Sequence, residues 1–486
     1  MRLLLVMPTG LEVGYDECFS MSPLGLETLA AYARNRADVA IADMRGQGRD
    51  AEAHAERLLA GDPDMVGVCL NSAPHTKYVL ALGRALKRRR PDLKLIAGGQ
   101  QATFIVQEVL GPGDFDAVVR GEGERTLSEI LERGDWRGVA GVSWREDGRI
   151  CHAPDRPLIE DLDTTLPPVR DFLPDRRRYR MGGYRLEGME TSRGCPYTCT
   201  FCSVRNFHRG VWRAKSPDRV MEEIDGILER FPPSTLVICF ADDNFAHDTG
   251  RVIEICKAIA ARRSSAYFWC QARVDTLARH PEMAEWLGRA HFAAAVLGIE
   301  TPVARLQKAA RKGVSAEDTQ KVIEMLHAND VGVWGTFTLG LPGETREEAE
   351  EAVRFAVSSG VDVVQVTVAT PIPGSALYEE VRAGGGLADP DWDRFDFGTP
   401  LMSGQAPKKE MDALLRRAYL GAYLKARFFA ALLTKRTNLA RLRRTALRVF
   451  SGFIWYLLKD RVASWFGRRA GRRRAAPPPS AKGDAP

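Results

Sequence analysis

Residues 192–204 read Ser192-Arg-Gly-Cys195-Pro-Tyr-Thr-Cys199-Thr-Phe-Cys202-Ser-Val204, and the rest of the chain is best understood outward from them. Three cysteines, separated by three and then two residues, follow directly on a run with strand character. A loop this tight can present three thiolates to one side of a cubane [4Fe-4S] cluster and leave the fourth iron open. The alternative for clustered cysteines is a closed zinc site, which takes four ligands, commonly as two pairs. The nearest fourth candidate is His208, and no second cysteine pair exists. Cys195, Cys199 and Cys202 are therefore the candidate metal ligands.

Around this loop the chain alternates strands with helices. Strands are expected at Arg185–Thr191, Thr235–Phe240, Tyr267–Gln271, Ala294–Gly298, Trp334–Leu339 and Val363–Val368. Six such units fit a partial (β/α)6 barrel over residues 185–400, with its chemistry at the strand ends. Upstream, β-rich runs at Leu3–Met7, Val39–Asp43, Met65–Leu70, Lys94–Ala97 and Ala117–Val119 alternate with helical stretches at Leu24–Arg34, Ala51–Leu59, Tyr78–Arg90 and Ala102–Leu110. That pattern predicts an α/β, doubly wound, Rossmann-like domain over residues 1–140, with a ligand beyond the carboxyl ends of its strands. The loops starting at Pro8, Asn71, Gly98 and Arg120 are the ones such a ligand would meet. Residues 141–184 read as a linker, and Thr164–Arg180, with three prolines, as a segment laid over the surface. A helical basic region is expected over 401–470 and a disordered tail over 471–486.

Bulk properties narrow the class. Hydrophobic residues are 45% and charged residues 27% of the 486, with a net charge of +6, as in ordinary globular proteins. The apolar start MRLLLVM stops at Pro8 and Gly10, so it reads as a buried strand and not as a signal peptide. No run approaches the roughly 18 apolar residues of a membrane span. Nine cysteines, an odd number, argue against a disulfide framework. A reduced, cytoplasmic protein with one cysteine-based metal site is expected.

The cysteine spacing, with Phe201 before the last cysteine, is similar to the signature of the radical S-adenosylmethionine (SAM) superfamily. Phe240-Ala-Asp242-Asp243-Asn-Phe245 resembles the segment ending the second barrel strand, and Gln271-Ala-Arg273-Val-Asp275 the third-strand segment whose arginine meets the cofactor. Gly298-Ile-Glu300-Thr, Gly340-Leu-Pro-Gly343-Glu344-Thr345 and Thr370-Pro-Ile-Pro-Gly374 look like later landmarks. The resemblance implies that SAM chelates the open iron and is contacted by Phe201, Asp242, Asp243, Arg273, Glu300 and Gly340. Each short motif also has a plain reading. Asp242 and Asp243 could be a helix cap and its solvated neighbour, and Arg273 and Glu300 a buried structural pair.

A doubly wound domain ahead of such a barrel resembles the cobalamin-binding class of the superfamily. Ser22-Pro23-Leu24-Gly25, Gly98-Gly99-Gln-Gln-Ala-Thr103 and Arg120-Gly121-Glu122-Gly123-Glu124 carry this likeness. It implies cobalamin contacts at Pro23, Leu24, Ser72, Gly98, Gly99, Thr103, Gly121, Glu122 and Gly123. No Asp-x-His-x-x-Gly occurs, so no histidine is expected beneath the cobalt, and Gln101 stands where related sequences often have histidine. A domain that has lost its cofactor is the competing reading. A dinucleotide is disfavoured, because no Gly-x-Gly-x-x-Gly follows the first strand.

From Lys425 to Arg474, fourteen further lysines and arginines face a single acid, Asp460, among many aromatic and aliphatic residues. This pattern suits a helix in a membrane interface, so peripheral contact with the inner face of the membrane is expected. Packing on the barrel and nucleic-acid contact are the alternatives. Family analogy then implies methylation of an unactivated carbon in a hydrophobic, polycyclic substrate such as a hopanoid. The reaction would use a 5′-deoxyadenosyl radical and an external electron donor of flavodoxin or ferredoxin type. An oxidative cyclase of tetrapyrrole metabolism is the runner-up. A transfer-RNA methylthiotransferase and a non-catalytic cobalamin sensor stand further off. No catalytic side chain is assigned from the sequence.

Overall fold

Met65 and Val66 are neighbours in sequence and both buried, as are Leu95 and Ile96. Adjacent strand residues point to opposite faces, so this strand lies in a sheet covered on both sides. The structure, a computed structural model, describes residues 1–9, 20–173, 175–181, 183–387, 391–425 and 438. Cys18, most of the basic segment after Lys425 and the tail lie outside the described residues.

The N-terminal sheet contains β1 (Arg2–Met7), β2 (Asp38–Asp43), β3 (Met65–Cys69), β4 (Lys94–Gly98), β5 (Ala117–Val119), β6 (Val142–Glu146) and β7 (Arg149–His152), in the order β2-β1-β3-β4-β5-β6-β7. The first five are parallel. Helices α1 (Leu24–Ala33) and α6 (Glu124–Arg133) cover one face, burying Leu26, Ala30, Leu127 and Ile130. Helices α2 (Ala51–Leu59), α3 (Thr76–Arg89), α4 (Gln100–Phe104) and α5 (Val106–Leu110) cover the other. The single helix expected over Ala102–Leu110 is instead two, because Ile105 leaves helical geometry (φ −123°, ψ 41°) as it enters the core.

The expected linker is not one. Its first part forms the hairpin β6–β7, which extends the sheet with antiparallel pairing to β5. Its second part is wedged between the domains. Arg170, Leu173, Arg176 and Tyr179 are buried. There Arg170 bonds Glu187 at 2.8 Å, and Arg176 pairs with both Glu187 and Glu27 of α1. Pro167 and Pro168 do lie in irregular chain, but Leu173 and Tyr179 anchor the segment in the core, and pairing offsets the desolvation of the arginines buried with them.

The second sheet runs β16-β15-β14-β13-β12-β9-β8. Its strands are β8 (Arg180–Met181), β9 (Tyr184–Met189), β12 (Leu236–Phe240), β13 (Tyr267–Ala272), β14 (Phe292–Glu300), β15 (Gly332–Leu339) and β16 (Val363–Val368), while β10 (Ser192–Arg193) and β11 (Arg213–Ala214) form a separate ribbon. All but β8 are parallel, which gives the six-stranded partial barrel. The short helix α7 (Val204–Phe207) lies within the β10–β11 connection. The outer layer is α8 (Pro217–Arg230), α9 (Thr249–Ala261), α10 (Val274–Arg279), α11 (Glu282–Arg289), α12 (Ala304–Ala309), α13 (Ala316–Ala328) and α14 (Arg346–Ser358), followed by α15 (Ala376–Ala383) and α16 (Lys408–Tyr423). Ser216 caps α8 ahead of a proline at its first position, and Thr345 with Glu348 forms a capping box on α14. Helix α16 closes the open sheet edge: the Tyr423 hydroxyl accepts from Val364 N and donates to its carbonyl, and Tyr419 does the same at Val366. Two side chains thus satisfy edge groups that would otherwise seek another strand.

Candidate cofactor site

Strand β9 ends two residues before the β10–β11 ribbon, and the cysteine loop is carried between the ribbon's two strands. Gly194 makes the turn at φ +84°, where a Cβ would run into the Val211 carbonyl oxygen. Asp242, at the end of β12, is fully buried. It accepts from Thr191 N (2.7 Å), Thr191 Oγ1 (2.5 Å) and Ser192 Oγ (2.6 Å). Its carboxylate is thereby committed to fixing the entry to the loop, where the sequence suggested a SAM contact. The loop is pinned further on by Thr200, whose N donates to Ala310 O and whose carbonyl accepts from Leu377 N. Phe201 packs against Leu306, Leu341, Ala369, Leu377 and Met402, so its ring anchors the loop in an apolar cluster.

Cys195, Cys199 and Cys202 are all partly accessible and unpaired. Burial pushes the Cys202 thiol up to about 12 and raises Cys195 as well, so a metal held there would have to supply the drive for deprotonation. Among the described residues, no three Cys, His, Asp or Glu side chains gather as a single-ion site. His208, the candidate fourth zinc ligand, accepts from Arg213 at Nδ1 (3.0 Å) and faces Asp243 with Nε2 (3.7 Å). Burial lowers its pKa to about 4, so it stands neutral.

The remaining barrel residues ring the same mouth, at the carboxyl ends of successive strands. Asp243 accepts from Gly194 N at 3.1 Å, and burial lifts its carboxyl to about 6. The Arg273 guanidinium lies 3.6 Å over the Tyr197 ring, with Nη1 3.7 Å from Cys199 Sγ. Arg273 and Glu300 are not partners of each other. Arg273 pairs with Asp275 (2.8 Å) and donates to Lys312 O, whereas Glu300, at φ +64°, pairs with Lys312 Nζ (3.1 Å) and accepts from Thr338 Oγ1. Gly340, at φ +74°, donates to the Glu344 carboxylate, and its carbonyl accepts from Gln405. The second Glu344 oxygen is buried without a partner, and burial raises that carboxyl to about 7.

In the N-terminal domain a cleft of about 300 Å³ opens at the carboxyl ends of β3, β4 and β5, between α1 and α6. Leu24, Gly98, Gly99, Gly121, Glu122 and Gly123 line it, as do Asn71, Leu29 and, from the barrel side, Glu190, Arg193, Phe207 and His208. Gly25 and Gly121 would meet nothing within 4 Å of an added Cβ, so their missing side chains leave room that a bulky ligand can use. Pro23, Ser72 and Thr103 are not among the lining residues. Thr103 accepts from Gly121 N and donates to Gly99 O, tying the two glycine loops together. The sequence reading missed Arg193, which joins Glu122 and Glu124 to Glu190 across the domain boundary. The only available signal was complementary charge in two distant motifs.

A three-thiol loop at a barrel mouth, facing a glycine-floored cleft in a doubly wound domain, defines a class with two cofactor compartments. Residues 189–356 match the Radical SAM superfamily and residues 18–131 the B12 binding domain. The chain is 31% identical over 433 residues to an uncharacterized methyltransferase of Pyrococcus horikoshii, covering 87% of this chain and 93% of the relative. It is 29% identical to the hopanoid C-3 methylase of Methylococcus capsulatus over 444 residues, covering 89% and 82%. It is 26% identical to the anaerobic magnesium-protoporphyrin IX monomethyl ester cyclase of Rubrivivax gelatinosus over 417 residues, covering 84% and 74%. Its fold matches that of the radical SAM methyltransferase TsrM from Kitasatospora setae, solved with cobalamin and a [4Fe-4S] cluster, with a TM-score of 0.68 at 14% identity over 94% and 99% of the two chains. The chain belongs to the cobalamin-dependent radical SAM methyltransferase family, whose cofactors are a [4Fe-4S] cluster, SAM and cobalamin.

Proposed function

We propose that this enzyme methylates an unactivated carbon of a hydrophobic, polycyclic substrate, with a hopanoid as the first candidate. When bound, the cofactors supply reductive cleavage of SAM and methyl carriage on cobalt. Cys195, Cys199 and Cys202 would hold the cluster, and the cleft between α1 and α6 would hold cobalamin. Arg273, Glu300, Asp243 and Gly340, at the mouth, would meet SAM, while Asp242 and Phe201 would position the loop.

The observation that carries the substrate reading is the concave wall of the barrel. Phe268, Cys270 and Ala272 join the core under the helices, so by alternation Tyr267, Trp269 and Gln271 face inward. Trp269 and Trp334 lie 5.4 Å apart, and Trp334 Nε1 donates to Gln365 Oε1 at 2.9 Å. With Thr336 this wall is aromatic and uncharged, and it suits a flat apolar body. Two relatives named for polycyclic substrates point the same way. An external reductant and, through the basic segment after Lys425, peripheral contact with an anionic membrane belong to the same proposal. Among the described residues no helix is long and apolar enough to cross a membrane.

The test is anaerobic reconstitution with iron, sulfide and hydroxocobalamin, followed by reduction with SAM and hopanoid lipids. Equal amounts of 5′-deoxyadenosine and S-adenosylhomocysteine, with a lipid one methylene heavier, are expected, and Cys199→Ala should abolish both. Turnover of a protoporphyrin ester without S-adenosylhomocysteine would replace methylation by oxidative cyclisation. Co-sedimentation with phosphatidylglycerol vesicles should be lost on truncation after Lys425.

A further inference from the structure

The N-terminal domain holds the cysteine loop at both ends. Two residues before Cys195, the buried Arg193 donates to Glu122 (3.0 Å) and Glu124 (2.6 Å) of the N-terminal domain and to Glu190 (2.7 Å) of the barrel. Glu122 also accepts from Arg213 Nη1 (3.0 Å) and Ile159 N (2.7 Å), so its position is fixed from three directions. At the other end, Gln100 Nε2 donates to the hydroxyl of Ser203, the residue after Cys202, at 2.8 Å. One turn on, the Phe104 ring meets Phe207 edge-on at 6.4 Å.

The origin of these grips matters more than their number. Gln100 and Phe104 belong to the segment that follows Gly98-Gly99, and Glu122 and Glu124 to the segment around Gly121 and Gly123. These are the two glycine loops that floor the cobalamin cleft, and Thr103 ties them together. Anything that orders the glycine loops therefore orders both ends of the cysteine loop, and the converse holds equally.

We propose that Arg193 and Gln100 are positioning residues that couple occupancy of the cobalamin cleft to loading of the iron–sulfur loop. The cost of ordering the shared loops is met by whichever group binds first, so the second binds more tightly, and thermodynamic linkage makes the effect reciprocal. The coupling requires no substrate, so it stands or falls separately from the lipid-methylation reading.

The test uses the full-length protein without SAM or substrate. Hydroxocobalamin affinity is measured by visible absorbance for cluster-loaded and iron-free protein, and iron loss to a bathophenanthroline chelator is timed with and without hydroxocobalamin. Cluster loading is expected to tighten hydroxocobalamin binding about tenfold, and hydroxocobalamin to slow iron loss. Arg193→Gln should bring the affinity ratio between the two states close to one, and Arg193→Lys should keep part of it. Gln100→Ala removes a single bond at the edge of the cleft, so it leaves the fold intact and should lower the ratio on its own. A purely structural role would weaken hydroxocobalamin binding equally in both states and leave the ratio unchanged. Equal affinities in the wild type, or an undiminished ratio in folded Arg193→Gln and Gln100→Ala proteins, would overturn the proposal.

Discussion

Glu344 carries a partnerless buried oxygen and a pKa raised to about 7 by burial, against an ordinary glutamate value near 4.5. Between those values the folded protein binds more protons than the unfolded chain, so its contribution to stability falls as pH rises. Glu344→Gln keeps the acceptor for Gly340 N and removes the titration. Wild type and variant should be similarly stable at pH 5, and the variant should gain about 1–3 kcal/mol on the wild type by pH 8. Denaturant melts of both proteins across that range check the sign. Gly194 gives a second residue-scale expectation. Its φ of +84° and the adjacent Val211 carbonyl leave no place for a methyl group, so Gly194→Ala should distort the cysteine loop at a cost of about 1–3 kcal/mol. Reconstituted iron should fall well below wild type while the far-ultraviolet circular dichroism stays the same. Glycine's presence there was visible in the sequence as the residue before Cys195. Its reason was not, because Val211 lies seventeen residues further on.

At the level of elements, α16 is informative. Its register against β16 places Tyr419 and Tyr423 on the edge strand, each bonding a backbone N–H and carbonyl. Replacing both by phenylalanine leaves four backbone groups unpaired in an apolar setting and should cost about 1–3 kcal/mol per tyrosine. A lower melting temperature with increased light scattering is expected, since an uncovered edge recruits further strands. The helix itself falls within the helical region expected over 401–470, but its role as a strand surrogate depends on where the barrel ends. The barrel strands β12 to β16 were legible for the opposite reason: each is a short run rich in apolar residues between turn residues, and nothing distant competes with that pattern. The hairpin β6–β7 was not legible. Val142–Glu146 and Arg149–His152 are half polar, and only the pairing of β6 with β5 and of β7 with β6 makes them strands.

Across the whole molecule, the two domains are joined by a buried clasp of Glu27, Glu187, Arg170 and Arg176. Desolvating these groups is costly, and their mutual pairing offsets it only while all four are present. Glu187→Gln should therefore leave an uncompensated arginine and destabilise the protein by about 3–5 kcal/mol, with limited proteolysis then cutting near residues 160–180 first. The sequence alone was enough for what depends on near neighbours: the cysteine spacing, the strand–helix alternation of both domains, and the glycines that follow β4 and β5. It was not enough for what depends on partners far along the chain. Arg193 and Glu122 are 71 residues apart, and Glu27 and Arg176 are 149 apart. Asp242 and Glu300 were equally visible, yet Asp242 is committed to Thr191 and Ser192 and Glu300 to Lys312. A charged side chain can be seen in a sequence, but its role is set by which opposite charge or polar group folding brings within hydrogen-bond reach, and only the tertiary structure decides that.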